Sequence, residues 1–112
     1  MCDKNQALKI RDEAYLLCRD IFLDKLTDCY LYGSYARGDY NNDSDIDIMM
    51  VVDLTPEEVS LIRSKVSSIG SRLSLEYDVT VSINLQPKSI LERYKDILLF
   101  YQNVLREGIR YE

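Results

Sequence analysis

The chain has 112 residues, 46% of them apolar and 29% charged, with only four glycines and two prolines. At this mass roughly 19,000 Å² of extended-chain surface should contract to about 6,400 Å²; one compact domain over residues 1–112 is expected, and a disordered tail or a fibrous repeat is excluded. Fourteen basic against nineteen acidic residues leave a net charge of −5, so nothing draws the domain as a whole to nucleic acid, and direct DNA binding is not expected.

Taken in order, Leu8, Ala14, Tyr15, Leu17, Cys18, Ile21 and Phe22 recur at spacings near three and four, which predicts an amphipathic helix from about Asn5 to Lys25. The segment Asp28-Cys-Tyr-Leu-Tyr32 is short, aromatic and β-prone, and predicts a strand that breaks at Gly33. Ser34 to Arg37 can then form one helical turn capped by Ser34. Gly38 to Ser44, GDYNNDS, consists of turn residues and reads as a loop. From Asp45, the run IDIMMVV predicts a central strand, polar where it starts and buried beyond.

Thr55-Pro56-Glu57-Glu58 combines an N-cap, a proline at the first helical position and acids in the first turn, and the apolar positions that follow extend this helix to about Glu76. Asp78 to Leu85, DVTVSINL, alternates strictly and predicts a third strand, with Asp78, Thr80, Ser82 and Asn84 on one face. Pro87 to Arg106 reads as helix with a break near Asp96, ending at Gly108. The order predicts an α/β (α+β) fold, a small mixed sheet flanked by helices.

Several chemistries are absent from the outset. No apolar run, Ile48–Val52 included, exceeds five residues, against about twenty for a membrane-spanning helix, and the N-terminus has no secretory pattern, so a cytoplasmic location is expected. Cys2, Cys18 and Cys29 form no CxxC pair, and three is an odd number for a disulfide framework. With no histidine in the sequence, Ser-His-Asp and Cys-His catalysis and most zinc sites are excluded. Chemistry here must use carboxylates, hydroxyls, lysine or arginine.

The stretch that offers such chemistry is Leu31-Tyr-Gly-Ser-Tyr-Ala-Arg-Gly-Asp-Tyr-Asn-Asn-Asp-Ser-Asp-Ile-Asp-Ile48. Asp45 and Asp47 stand two apart at the start of an apolar strand, so their carboxylates leave the same face close together. Their repulsion calls for a compensating charge, and Mg²⁺ is commonly held by one or two carboxylates plus substrate phosphates. Gly33 permits a tight turn and close backbone approach, Ser34 opens a helical turn whose amides face an anion, and Arg37, one turn on, supplies a charged donor. The loop also places Asp39, Asn41 and Asp43 at the spacing of a calcium loop, but Ser44 replaces the glycine and Met50 the bidentate glutamate that such a loop requires.

Gly33-Ser34, ten residues, then Asp45-Ile46-Asp47 resembles the signature of the polymerase-β-type nucleotidyltransferase superfamily, and GSYARGDYNNDSDID is most similar to its minimal nucleotidyltransferase branch. The resemblance implies that Gly33 and Ser34 bind the phosphates of a nucleoside triphosphate, ATP above all, where Arg37 can join them as the charged donor, and that Asp45 and Asp47 coordinate Mg²⁺. It also implies a third acid on a neighbouring strand, for which the candidate is Asp78; other members carry theirs two residues further on, where this sequence has Thr80. The implied reaction is attack by a hydroxyl on the α-phosphorus with pyrophosphate leaving. Short members of this branch pair with a small helical HEPN-type toxin and act as its antitoxin by adding AMP to one of its tyrosines. The alternatives are a weak or inactive module that neutralises its partner by contact, and a small-molecule nucleotidyltransferase that gains its acceptor site on dimerisation, as a homo-oligomer.

Overall fold

The computed structural model describes residues 2–112. Helix α1 spans Lys4–Phe22, with Asp3 as N-cap accepting the Gln6 amide at 2.8 Å, and a 3₁₀ turn over Leu23–Lys25 leads into β1, Leu26–Tyr32. The four-residue turn α2, Ser34–Arg37, is followed by a loop and β2, Ile46–Val52. Helix α3 covers Pro56–Tyr77 and starts with a capping box, in which Thr55 Oγ1 accepts the Glu58 amide at 3.1 Å and Glu58 Oε1 accepts the Thr55 amide at 3.0 Å. Strand β3, Val81–Pro87, then precedes α4 (Lys88–Tyr94), α5 (Leu99–Glu107) and a two-residue β4, Ile109–Arg110.

The strands form one mixed sheet in the order β3-β2-β1-β4, with β2–β3 parallel and β1 antiparallel to both of its neighbours. Two differences from the sequence reading have clear causes. The third strand starts at Val81 rather than Asp78, because Asp78 takes the left-handed conformation (φ 52°) that ends α3. Short β4 gives no periodic signal; it is fixed by pairing Ile109 and Arg110 with Leu31 and Tyr30 of β1.

The alternation of each strand sorts the core into two clusters. On one face Leu26, Cys29, Leu31, Ile46, Ile48, Met50, Val52, Val81 and Leu85 pack against α1 and α3. Gly70 lets α3 approach closely, since a Cβ there would lie 3.1 Å from the Val81 carbonyl oxygen, and the adjoining Ser74 Oγ accepts the Val81 amide at 2.8 Å. The other face is covered over only part of its length: Met49 and Val51 pack with Leu91, Tyr101 and Val104 of α4 and α5. The end of that face where β2 starts is left open. Among the described residues no helix is long and apolar enough to cross a membrane.

Candidate active site

Strand parity decides what meets at the open end. Asp47 shares its face with Met49 and Val51, and lies opposite Tyr32 on β1 and Ser82 on β3. Asp45 lies just before the strand, two residues from Asp47, and is exposed. The proximity shows in the ionisation of Asp47, whose pKa is raised first by burial and then by the Asp45 carboxylate, with Arg37 acting in the opposite sense. Two carboxylates and a guanidinium therefore share one electrostatic neighbourhood.

Gly33 joins the turn to this pair. Its backbone, φ 77° and ψ −155°, lies in a region open almost only to glycine, and a Cβ added there would come within 2.6 Å of Asp47 Oδ2. The side chain that Gly33 lacks is thus replaced in space by the carboxylate of Asp47. From Gly33 the chain enters α2 at once: the Gly33 carbonyl accepts the Ala36 and Arg37 amides, both at 3.1 Å, and Gly38, at φ 91°, donates to the Ser34 carbonyl at 2.8 Å. The first amides of such a turn have no partner within it. Tyr35, buried under the turn, stacks on Tyr40 with ring centroids 4.4 Å apart, which pins the following loop. Within that loop the Asn41 amide donates to Ser44 Oγ at 2.9 Å and the Asp43 amide to Asn41 Oδ1 at 2.8 Å.

Of the six residues singled out in the sequence, the structure brings together Gly33, Ser34, Arg37, Asp45 and Asp47. Asp78 stands apart: as the C-cap of α3 it borders a separate hollow with Cys2, Tyr35, Asn42 and Val79. Among the described residues no three His, Cys, Asp or Glu side chains are grouped closely enough to hold a metal ion. The β3 positions that share the face of Asp47 are Ser82, Asn84 and Gln86, all neutral.

The structure adds residues that local patterns did not single out for the site. A cleft of about 190 Å³ adjoins Gly33 and is lined by Tyr32, Arg37, Phe100, Asn103, Val104 and Glu107. Tyr32 meets Phe100 edge to face, with centroids 5.6 Å apart, and Glu107 Oε2 lies 3.7 Å from Arg37 Nη1. Beneath the cleft runs a polar row: Tyr101 donates its hydroxyl to Gln86 Oε1 at 2.9 Å, and Gln86 Nε2 donates to Asn84 Oδ1 at 2.7 Å. Burial raises the pKa of the nearby Tyr32 phenol, the Asn84 side chain acts in the opposite sense, and the Asp47 charge raises it further. The polar half of the β3 alternation was the one available signal, and it acquires meaning only once β2 and β3 are known to be parallel and in register.

Residues 17–111 match the nucleotidyltransferase domain family. The chain belongs to this family. The nucleotidyltransferase domain is 40% identical to the candidate protein adenylyltransferase MJ0141 of Methanocaldococcus jannaschii over 76 residues, which is 68% of this chain and 75% of that protein. Two solved structures share its fold. One is a toxin–antitoxin with AMP-PNP (TM-score 0.57, 21% identity, 88% of this chain and 70% of that one). The other is a tri-AMPylated HEPN toxin of Shewanella oneidensis in complex with MNT antitoxin (TM-score 0.54, 20% identity, 93% and 70%). The small mixed sheet with flanking helices, expected from the order of elements, is the sheet this nucleotidyltransferase domain has.

Proposed function

We propose that this nucleotidyltransferase transfers AMP from ATP, in a Mg²⁺-dependent reaction, to a hydroxyl of a protein partner, a tyrosine of a small helical HEPN-type toxin whose antitoxin it is. The observation that carries the reading is the fit of Asp47 Oδ2 into the space beside Gly33, which holds the phosphate-facing turn and the acidic pair against each other. The kinship with a candidate protein adenylyltransferase and the fold shared with an antitoxin complexed to an AMPylated toxin support both the nucleotide and the acceptor.

In this reading Asp45 and Asp47 hold the cation, and their mutual repulsion fits them to do so. When bound, Mg²⁺ supplies positive charge against the acidic pair and the triphosphate. Ser34 and the amides of the α2 turn face phosphate oxygens, and Arg37 adds a charged donor once it turns from Glu107 and from Asp39, 3.3 Å from its Nε. The acceptor oxygen forms a bond to the α-phosphorus as the bond to the oxygen bridging the β-phosphate breaks; pyrophosphate leaves and the hydroxyl proton passes to solvent. Ile97, Leu98, Leu99 and Phe100 expose apolar surface beside the cleft, a rim of the kind that partner surfaces cover.

A second reading is a module that neutralises its partner by contact, with little or no catalysis. The specific observation in its favour is that two carboxylates, not three, occupy the face. Intact-mass spectrometry of the partner after incubation with this chain, ATP and Mg²⁺ separates the two. The transferase reading expects a gain of one or more AMP units, lost with Asp45→Ala/Asp47→Ala while the two proteins still bind. An unmodified partner that is nevertheless bound and neutralised, by wild type and double variant alike, supports the module.

A further inference from the structure

The neutral side chains of β3 beside Asp47 are committed in a definite direction. Tyr101 gives its proton to the carbonyl oxygen of Gln86, and Gln86 gives its amide proton to the carbonyl oxygen of Asn84. Both amide oxygens are thereby engaged as acceptors. With one lone pair of its oxygen engaged by Gln86, Asn84 keeps both hydrogens of its NH₂ group free to donate. A donor suits an anion and repels a cation.

Metal chemistry can be weighed against this arrangement. Two divalent cations in a phosphoryl-transfer clamp sit roughly 3.5–4 Å apart, and each seeks near-octahedral oxygen coordination. Asp45 and Asp47 together offer four carboxylate oxygens, enough to hold one cation and leave the rest of its shell to phosphates and water. A second cation would need another anionic oxygen on the neighbouring strand. The position in register with Asp47 is Ser82, which is exposed and uncharged; the adjacent Thr80 lies before the strand, and Asp78 turns away as the cap of α3.

We infer that this site takes a single divalent cation, held by Asp45 and Asp47, and that Ser82 occupies the place where a second cation would require a carboxylate. The inference rests on the nucleotide-transfer reading and fixes its metal stoichiometry. Ser82 and Asn84 then form a donor row on the β3 side that meets phosphate oxygens, opposite the cation on the β2 side.

The test counts Mn²⁺ bound per chain, by electron paramagnetic resonance of free Mn²⁺, in the presence of saturating non-hydrolysable AMP-CPP. Wild type is expected to bind one nucleotide-dependent ion, and Ser82→Asp two. Ser82 is solvent-exposed, so the substitution should leave the fold intact, which circular dichroism verifies; if that variant failed to fold, the wild-type count alone would decide. Two ions on wild type would overturn the inference and leave the transfer reading standing. No nucleotide-dependent ion on folded wild type would overturn both. A folded Ser82→Asp that still binds one ion would refute the assignment of Ser82.

Discussion

The two faces of the sheet are built from the same strands, often from alternate residues of one strand, yet they obey opposite rules. Ile48 and Met50 of β2 point into a continuous apolar layer closed by α1 and α3, whereas Asp47, between Ile46 and Ile48, points to the other side, where α4 and α5 stop short. The closed face is specified by volume and contributes stability. The open face carries charge and hydrogen bonds that stability alone would not select. A domain of this size can hold a half-buried carboxylate, Asp47, beside the exposed Asp45 because strand parity puts Asp47 on the side away from α1 and α3.

Three substitutions and one labelling experiment break or sharpen this contrast. The largest effect on stability is expected from Ile48→Ala on the closed face, about 2–5 kcal/mol for a fully buried aliphatic, read as a lower midpoint in urea unfolding. Gly33→Ala should cost less, about 1–3 kcal/mol for strained backbone at positive φ, but it should abolish metal-dependent nucleotide binding, because the new methyl displaces Asp47 Oδ2; calorimetric titration with ATP and Mg²⁺ checks it.

Asp47→Asn should act in the opposite direction and stabilise the metal-free protein at neutral pH. In the fold the pKa of Asp47 lies above its ordinary 3.8, so the folded state favours the protonated form. That contribution is fully present below 3.8, the unfolded value, and is lost as pH rises through the raised folded value. Removing the charge should therefore raise the melting temperature at pH 7, and the gain should vanish near pH 3. An asparagine that lowers the melting temperature at pH 7 would contradict the electrostatic account of this face.

The smallest effect concerns the thiols. Burial pushes the Cys18 and Cys29 pKa values up to about 12, and both lie on the closed face, so iodoacetamide at pH 8 should label only the half-buried Cys2 of the native protein. Mass mapping after brief labelling would show the difference.

How much of this was legible in the sequence follows the range of the interactions. Gly33-Ser34 and Asp45-x-Asp47 could be read because a tight turn and a polar strand start each leave a local mark, and their spacing is a property of one short segment. The placement of Asp78 was not legible: DVTVSINL alternates throughout, and alternation alone does not reveal that its first residue takes a left-handed turn to end the preceding helix. Asparagine and aspartate tolerate that conformation better than most residues do, so Asp78 serves as a cap where many chains use glycine. Phe100, Asn103 and Glu107 reach the cleft only because α5 folds back over β1, some 70 residues away in sequence. The hydrogen bonds from Tyr101 to Gln86 and Asn84 depend likewise on tertiary packing.

The β3 margin of the sheet has a consequence for behaviour at high concentration. A strand with an unoccupied side is a template on which further chains can assemble, and unprotected margins drive amyloid-like stacking. Here the margin is blunted at both ends: the Val81 amide is taken by Ser74 Oγ, and the last residue, Pro87, has no amide to give. Only five residues, 82–86, remain between these stops. On the opposite margin the two residues of β4 offer still less. The chain can thus keep an acidic site on one face without offering the sheet beside it as a seed for aggregation.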